Sequence, residues 1–124
     1  MIKTIDIARI AYETVSQLAE SIGIPGYLAW KDLDDREIYG FLRSVVFVID
    51  YPMTTPDSLH NAWVQVKIDD GWKYGDEIDR RKKLHNHLQS FGYLTPFQRA
   101  EYFVFLAVVK SLLDLDYKYE GKKH

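Results

Sequence analysis

Apolar residues recur at helical spacing over four stretches of this chain, and glycine and proline punctuate the intervals between them. From Thr4 to Ile22, the positions Ile7, Ile10, Ala11, Thr14, Val15, Leu18 and Ile22 share one helical face, with Gly23 placed to cap the C-terminus. Ile24-Pro25-Gly26 breaks the chain, and Tyr27, Leu28 and Trp30 follow in a connector whose aromatic anchor could tuck back on the core. A second helix spans Asp34 to about Asp50, opened by Asp34 and Glu37 in the manner of a capping box. Its buried stripe is Ile38, Phe41, Leu42, Val45 and Ile49. The run from Val45 to Ile49 fits a strand by periodicity alone, and length favours helix.

Thr55-Pro56-Asp57 supplies a cap oxygen, a proline at the first helical position and an acid near the positive end of the helix dipole. The third helix runs from there to Asp69 or Asp70, and Gly71 stops it. Leu59, Ala62, Val66 and Trp63 form one side, and His60, Trp63 and Lys67 share an overlapping side at offsets of three and four. Trp72 to Phe91 has no sustained helical period and reads as an ordered loop with short extended pieces, a length that usually means either function or a misread element. Thr95-Pro96-Phe97-Gln98 is a complete capping box. The last helix follows to about Leu115, with Phe97, Phe103, Val104, Ala107, Val108 and Leu112 on a broad apolar face. The pattern predicts a mainly α domain of about four helices with a long ordered loop and short β-strands. One domain would cover residues 1–124, with its core over about 7–113 and a charged, flexible tail at 117–124.

Composition narrows the picture. Hydrophobic residues make up 47% of the 124, a globular proportion, and aromatics reach 15% with nine tyrosines. Cysteine is absent, which removes disulfides, thiolate catalysis and cysteine zinc sites and agrees with a reducing cytoplasm. No apolar run approaches the roughly 20 residues of a membrane helix, and the N-terminus shows no signal-peptide apolar region, so the expected location is cytoplasmic with no membrane partner. A formal net charge of −2 argues against coating a nucleic-acid polymer.

Candidate chemistry concentrates between His60 and Gly75, where two tryptophans, Tyr74, His60 and two lysines gather around a helix end. Trp63 fits either of two roles, a core filler or a partly exposed indole offering a stacking face to a planar anionic ligand. Trp72 follows the helix-ending glycine and is expected to fold back on the helix C-terminus. Arg80-Arg81-Lys82-Lys83 is a basic run, partly offset by Asp76, Glu77 and Asp79. It serves either as a solvated cluster or as phosphate contacts, lysine as a point charge and arginine as a fork. His85 and His87 straddle Asn86, and in an extended segment their rings would point to opposite sides, which disfavours a shared metal. The letters His-Asn-His are not a nuclease motif, and Asp69-Asp70-Gly71 fails the spacing of a calcium loop. There is no Walker phosphate loop, dinucleotide glycine pattern or nucleophile elbow. No acid, nucleophile and metal set converges, so no catalytic residues, no metal and no cofactor are expected.

His60-x-x-Trp63, Lys67, Gly71-Trp72-x-Tyr74-Gly75, Asp79, Lys82, His85, Leu88, Leu94 and the amphipathic helix that follows resemble the repeat domain first named in ryanodine receptors, over roughly Ile7 to Leu113. Two positions depart from the family pattern: Asn86 follows His85 in place of proline, and Asp76 follows Gly75 in place of proline. The resemblance implies a mostly helical fold. Receptor repeats pair in tandem with approximate twofold symmetry, so a solitary repeat could pair as a homodimer. Single-domain versions occur in bacteria and phages, and this chain looks like one of them. Paired receptor repeats are implicated in binding adenine nucleotide, and bacterial members have been proposed as sensors of nucleotide-derived signals. Carried over, the resemblance implies that Trp63 stacks a base and His85 contacts the ligand. His60, Trp72 and Tyr74 belong to the same motif, and Lys67, Arg80 and Lys82 are added for their charge and reach. The expected function is a non-enzymatic module for a nucleotide-like small molecule. The alternative is a protein-interaction module using the same aromatic surface.

Overall fold

Two helix ends show how local sequence sets this architecture. At Gly23, which has φ +79°, Ile24 N–H donates to Ala19 O and Gly23 N–H to Glu20 O. At Gly71, with φ +87°, Trp72 N–H donates to Lys67 O and Gly71 N–H to Ile68 O. Both are paired closures that satisfy orphan carbonyls through a residue in the left-handed region, which glycine enters without steric cost. The computed structural model describes residues 2–120, with side chains through Asp116. It contains α1 (Thr4–Ser21), α2 (Asp35–Asp50), α3 (Pro56–Asp69) and α4 (Pro96–Glu120). Two-residue strands β1 (Lys73–Tyr74) and β2 (Leu84–His85) and two short 3-10 turns complete the described elements. The fold is mainly α, with an ordered loop and short strands between α3 and α4.

N-terminal caps divide. Asp34 accepts from Glu37 N–H at 2.8 Å, and Thr95 and Gln98 bond reciprocally at 2.9 and 3.2 Å, so both capping boxes form. Thr55 does not cap α3 through its side chain: its hydroxyl turns to Asp57 and Ser58. Pro56 already removes one of the orphan N–H groups at that end. The last helix continues past Leu115 to Glu120, so part of the expected tail is helical, and residues 121–124 lie outside the described residues.

The chain forms two compact units, one of residues 1–53 and 103–124 and the other of residues 54–102. The first is built from α1, α2 and the later part of α4 around Ile7, Ala8, Ala11, Val15, Ala19, Val45, Val48, Leu106 and Val109. An aromatic cluster supports it: Tyr12 lies 4.9 Å from Phe41 and 5.8 Å from Trp30, and its hydroxyl donates to Leu28 O, so the connector does tuck back. Three predicted stripes were rotated slightly from the real ones. In α1, Ile10 and Thr14 face outward and Ala8, Tyr12 and Ala19 face inward. In α2, Ile49 is exposed and Val48 is buried. In α4, Phe103 and Ala107 are exposed and Phe105, Leu106 and Val109 are buried. Each helix carries more apolar residues than one face needs, and tertiary packing chooses among them.

The second unit contains α3, both strands and the first turns of α4, with Leu59, His60, Leu88 and Leu94 buried. Val66, expected on the core side of α3, is exposed. β1 and β2 pair in parallel, Lys73 with Leu84 and Tyr74 with His85. Asp79 and Leu84 exchange two backbone bonds of 2.9 Å around the turn that carries the basic run. Strand contact is tight at Gly75, where a Cβ would stand 2.7 Å from Leu84 Cβ. A Gly75→Ala substitution is therefore expected to destabilise the second unit by about 1–3 kcal/mol through overpacking. Urea denaturation checks this, and an unchanged midpoint would contradict the tight approach.

Candidate functional site

The site begins with His60, which α3 carries into the interior of the second unit with no exposure. Its Nε2 is 2.6 Å from Gln89 O and its Nδ1 is 2.8 Å from the Tyr102 hydroxyl. A carbonyl can only accept, so Nε2 carries the hydrogen and Nδ1 accepts from the phenol. The ring is neutral in this arrangement, and burial holds its pKa below the usual value against the opposing effect of the Gln89 carbonyl. Burial also raises the Tyr102 phenol, with Glu101 adding to the effect, so it remains a donor. Phe91 and Tyr102 pack on the imidazole at 5.9 and 4.9 Å.

One turn along α3, Trp63 is half-buried and stacks on His60 at 6.0 Å with 24° between the planes. Its other neighbours come from the loop. His85 meets it edge-on at 4.9 Å and His87 at 6.3 Å. Trp72 lies 6.2 Å from His85, and its indole N–H reaches Asp70 at 3.3 Å, so it folds back on the end of α3 as the sequence suggested. Lys67 Nζ stands 4.7 Å from the centre of Trp72 and 5.8 Å from that of Trp63. Lys83, the only described non-glycine residue with positive φ (56°), donates to Asp70 O at 2.7 Å and ties the basic turn to the negative end of α3.

The His85 and His87 rings are not on opposite sides. Their centres are 4.8 Å apart, and His87 N–H donates to His85 Nδ1 at 3.0 Å. The chain turns after β2 instead of staying extended, which removes the alternation that would have separated them. The bond from His87 leaves the His85 proton on Nε2. Burial is the largest cause holding the His85 pKa down to about 3, followed by the charges of His87, Lys67, Arg80 and His60. Burial, then His60, holds His87 at about 4. Both rings are neutral near pH 7. Asn86 Oδ1, between them in sequence, is buried without a hydrogen-bond partner.

Trp63, Trp72, Lys67, His85 and His60 therefore converge, and Arg80 acts on His85 through its charge. Tyr74 and Lys82 stand apart. The exposed Tyr74 hydroxyl donates to Asp76 at 3.1 Å, and exposed Lys82 uses its backbone N–H on Asp79. His60 is sealed and fully bonded, so its part is to hold Trp63 in place. Sequence reasoning missed Tyr102 and the Gln89 carbonyl. A helix capped by Thr95 and beginning at Pro96 was visible, but nothing local marks its seventh residue, Tyr102, as a partner for His60. Among the described residues no group of three or more histidine, cysteine, aspartate or glutamate side chains could hold a metal ion. No described helix is long and apolar enough to cross a membrane.

Fold and site together define a small, mainly α domain organised around a buried histidine and an indole cluster. The family model of the RyR domain matches residues 54–120, more than half of the chain, and the protein belongs to that family. The match takes in α3, both strands, the basic turn and all of α4, and it begins at Thr54, where the resemblance suggested a start near Ile7. Neither the curated proteins nor the solved structures yield a match.

Two outcomes follow from the buried ring chemistry. Tyr102→Phe leaves His60 Nδ1 without its donor, and a loss of about 1–3 kcal/mol is expected by urea denaturation. His85 and His87 have folded pKa values near 3 and 4, below the unfolded value of about 6.5. Between those values the unfolded chain binds more protons, so the histidine contribution is whole above about pH 6.5 and is lost as pH falls toward 4. Thermal unfolding measured from pH 7.5 to 4.5 should show a shallower decline in His85→Gln/His87→Gln than in wild type. Parallel declines would contradict the shifts.

Proposed function

We propose that this chain is a non-enzymatic binding module for a nucleotide or nucleotide-derived small molecule. The observation that carries this reading is the convergence on one half-buried indole, Trp63, of two neutral imidazoles and a lysine ammonium, with Arg80 acting on the same histidine. Indoles offer stacking area to any base. Neutral histidines offer hydrogen bonds at a base or sugar edge without demanding a charge there. Lys67 and Arg80 supply positive potential for phosphate. Family membership adds support, because a repeat that pairs in receptors gives a reason for a homodimer of this chain, and we include that pairing in the proposal. Binding would couple to assembly if ligand contact with His85 and Arg80 reshaped the turn after β1.

A second reading has its own observation. Val66, Ile68, Tyr74 and Ile78, all in the second unit, are more than half exposed, and such side chains suit a protein interface.

Tryptophan fluorescence with ATP, AMP and a panel of cyclic nucleotides, read beside light-scattering mass, tests the proposal. Saturable quenching is expected, weakened roughly tenfold or more in Trp63→Ala, as loss of a stacked base implies. The mass should approach twice 14.5 kDa. Silence across the panel at millimolar ligand, or equal binding by Trp63→Ala, would overturn the nucleotide reading and favour the protein interface.

A further inference from the structure

The first unit has a cavity of about 250 Å³, lined by Arg9, Glu13, Ala29, Trp30 and Lys31. All of these residues precede Thr54, so they lie outside the span that the family model matches. Two segments build the cavity. Arg9 and Glu13 stand one turn apart on α1, beside its buried residues Ala8 and Tyr12. The connector before α2 supplies Ala29, Trp30 and Lys31 at its 3-10 turn (Trp30–Asp32).

The connector wall is firmly held. Asp32 N–H donates to Ala29 O at 2.9 Å and Leu33 N–H to Trp30 O at 3.2 Å, which closes the turn above the buried Leu33. Trp30 is half-buried, and its ring packs 5.8 Å from Tyr12 and 6.3 Å from Phe41. The indole is thus in position before any ligand arrives, and little ordering entropy opposes contact with it. Arg9 and Glu13 are held differently. Arg9 Nε–H donates to Glu13 Oε1 at 3.0 Å, and both side chains are about half exposed. An exposed pair of this kind is weak and exchanges readily with other charges.

The three charged groups restrict what fits beside the indole. Arg9 and Lys31 attract an anion, but Glu13, bonded to Arg9, repels it. A ligand that carries a carboxylate and an ammonium together removes this conflict. Its carboxylate forks on the Nη edge of Arg9, with Lys31 adding positive potential, and its ammonium meets Glu13. The volume sets the size, since it falls below the roughly 300 Å³ at which drug-sized pockets begin. Trp30 supplies a fixed flat surface for a ring. We propose that this cavity binds a free aromatic α-amino acid: carboxylate on Arg9 and Lys31, ammonium on Glu13, ring against Trp30.

The probe is L-phenylalanine, compared with 3-phenylpropionate, which keeps the ring and carboxylate and lacks the ammonium. Two-dimensional NMR of the indole N–H resonances reads both, with the Trp30 signal assigned by its loss in Trp30→Phe. Phenylalanine should shift the Trp30 resonance saturably and leave Trp63 and Trp72 unmoved, and 3-phenylpropionate should bind more weakly. Glu13→Gln should weaken phenylalanine roughly three- to tenfold and strengthen 3-phenylpropionate, because the attracting and the repelling charge are the same carboxylate. Arg9→Gln should weaken both ligands. A Glu13 that served the fold alone would move the two ligands in the same direction, and that result would overturn the assignment. A Trp30 resonance unmoved at tens of millimolar phenylalanine, shifts at Trp63 or Trp72 in its place, or equal binding of the two probes by the wild-type chain would also overturn it.

Discussion

A neutral imidazole closed off from water must find one donor and one acceptor inside the protein, and His60 finds them 29 and 42 residues away in sequence, at Gln89 and Tyr102. Those two bonds fix the rotation of the ring and its tautomer. They also fasten three parts of the second unit: α3, the loop end before the last 3-10 turn, and the start of α4. Trp63 inherits its position from this arrangement, since its indole lies nearly parallel to the imidazole. Loss of either partner would leave a polar atom in a place where water cannot compensate.

The loop histidines extend the same logic to electrostatics. Burial keeps His85 and His87 uncharged, with Lys67 and Arg80 adding to the effect at His85, and the turn after β2 brings the two rings together against Trp63. The turn itself depends on small geometric facts. Gly75 lets β1 approach Leu84, and Lys83 adopts a left-handed backbone while its side chain reaches the end of α3. The local sequence spends one glycine and one strained lysine on bringing β2 beside β1. The result is a cluster of aromatic, neutral and cationic groups within one unit of fewer than 50 residues.

Much of this was legible in the sequence where the determinants are local. Gly23 and Gly71 end their helices as expected, and Asp34–Glu37 and Thr95–Gln98 form their capping boxes. Trp72 folds back because the chain reverses at Gly71 beside it. Legibility failed where several apolar residues competed for one face, as with Ile10, Ile49, Val66 and Phe103, all of which lie outward. It failed again at Thr55, whose hydroxyl prefers Asp57, and at His85 and His87, where two residues of turn reversed an inference drawn from extended backbone. The motif His60-x-x-Trp63 with His85 marked the cluster, but the deepest contact, His60 with Tyr102, joins residues with no local signature in common.

The chain contains three tryptophans, and their placement supplies an internal control: Trp63 and Trp72 flank Lys67, and Trp30 packs against Tyr12 and Phe41 in the other unit. The most direct measurement is therefore a two-dimensional NMR titration of the indole N–H resonances with ATP. The account predicts saturable shifts at Trp63 and Trp72 with Trp30 unmoved. Three stationary resonances, or a shift confined to Trp30, would contradict it.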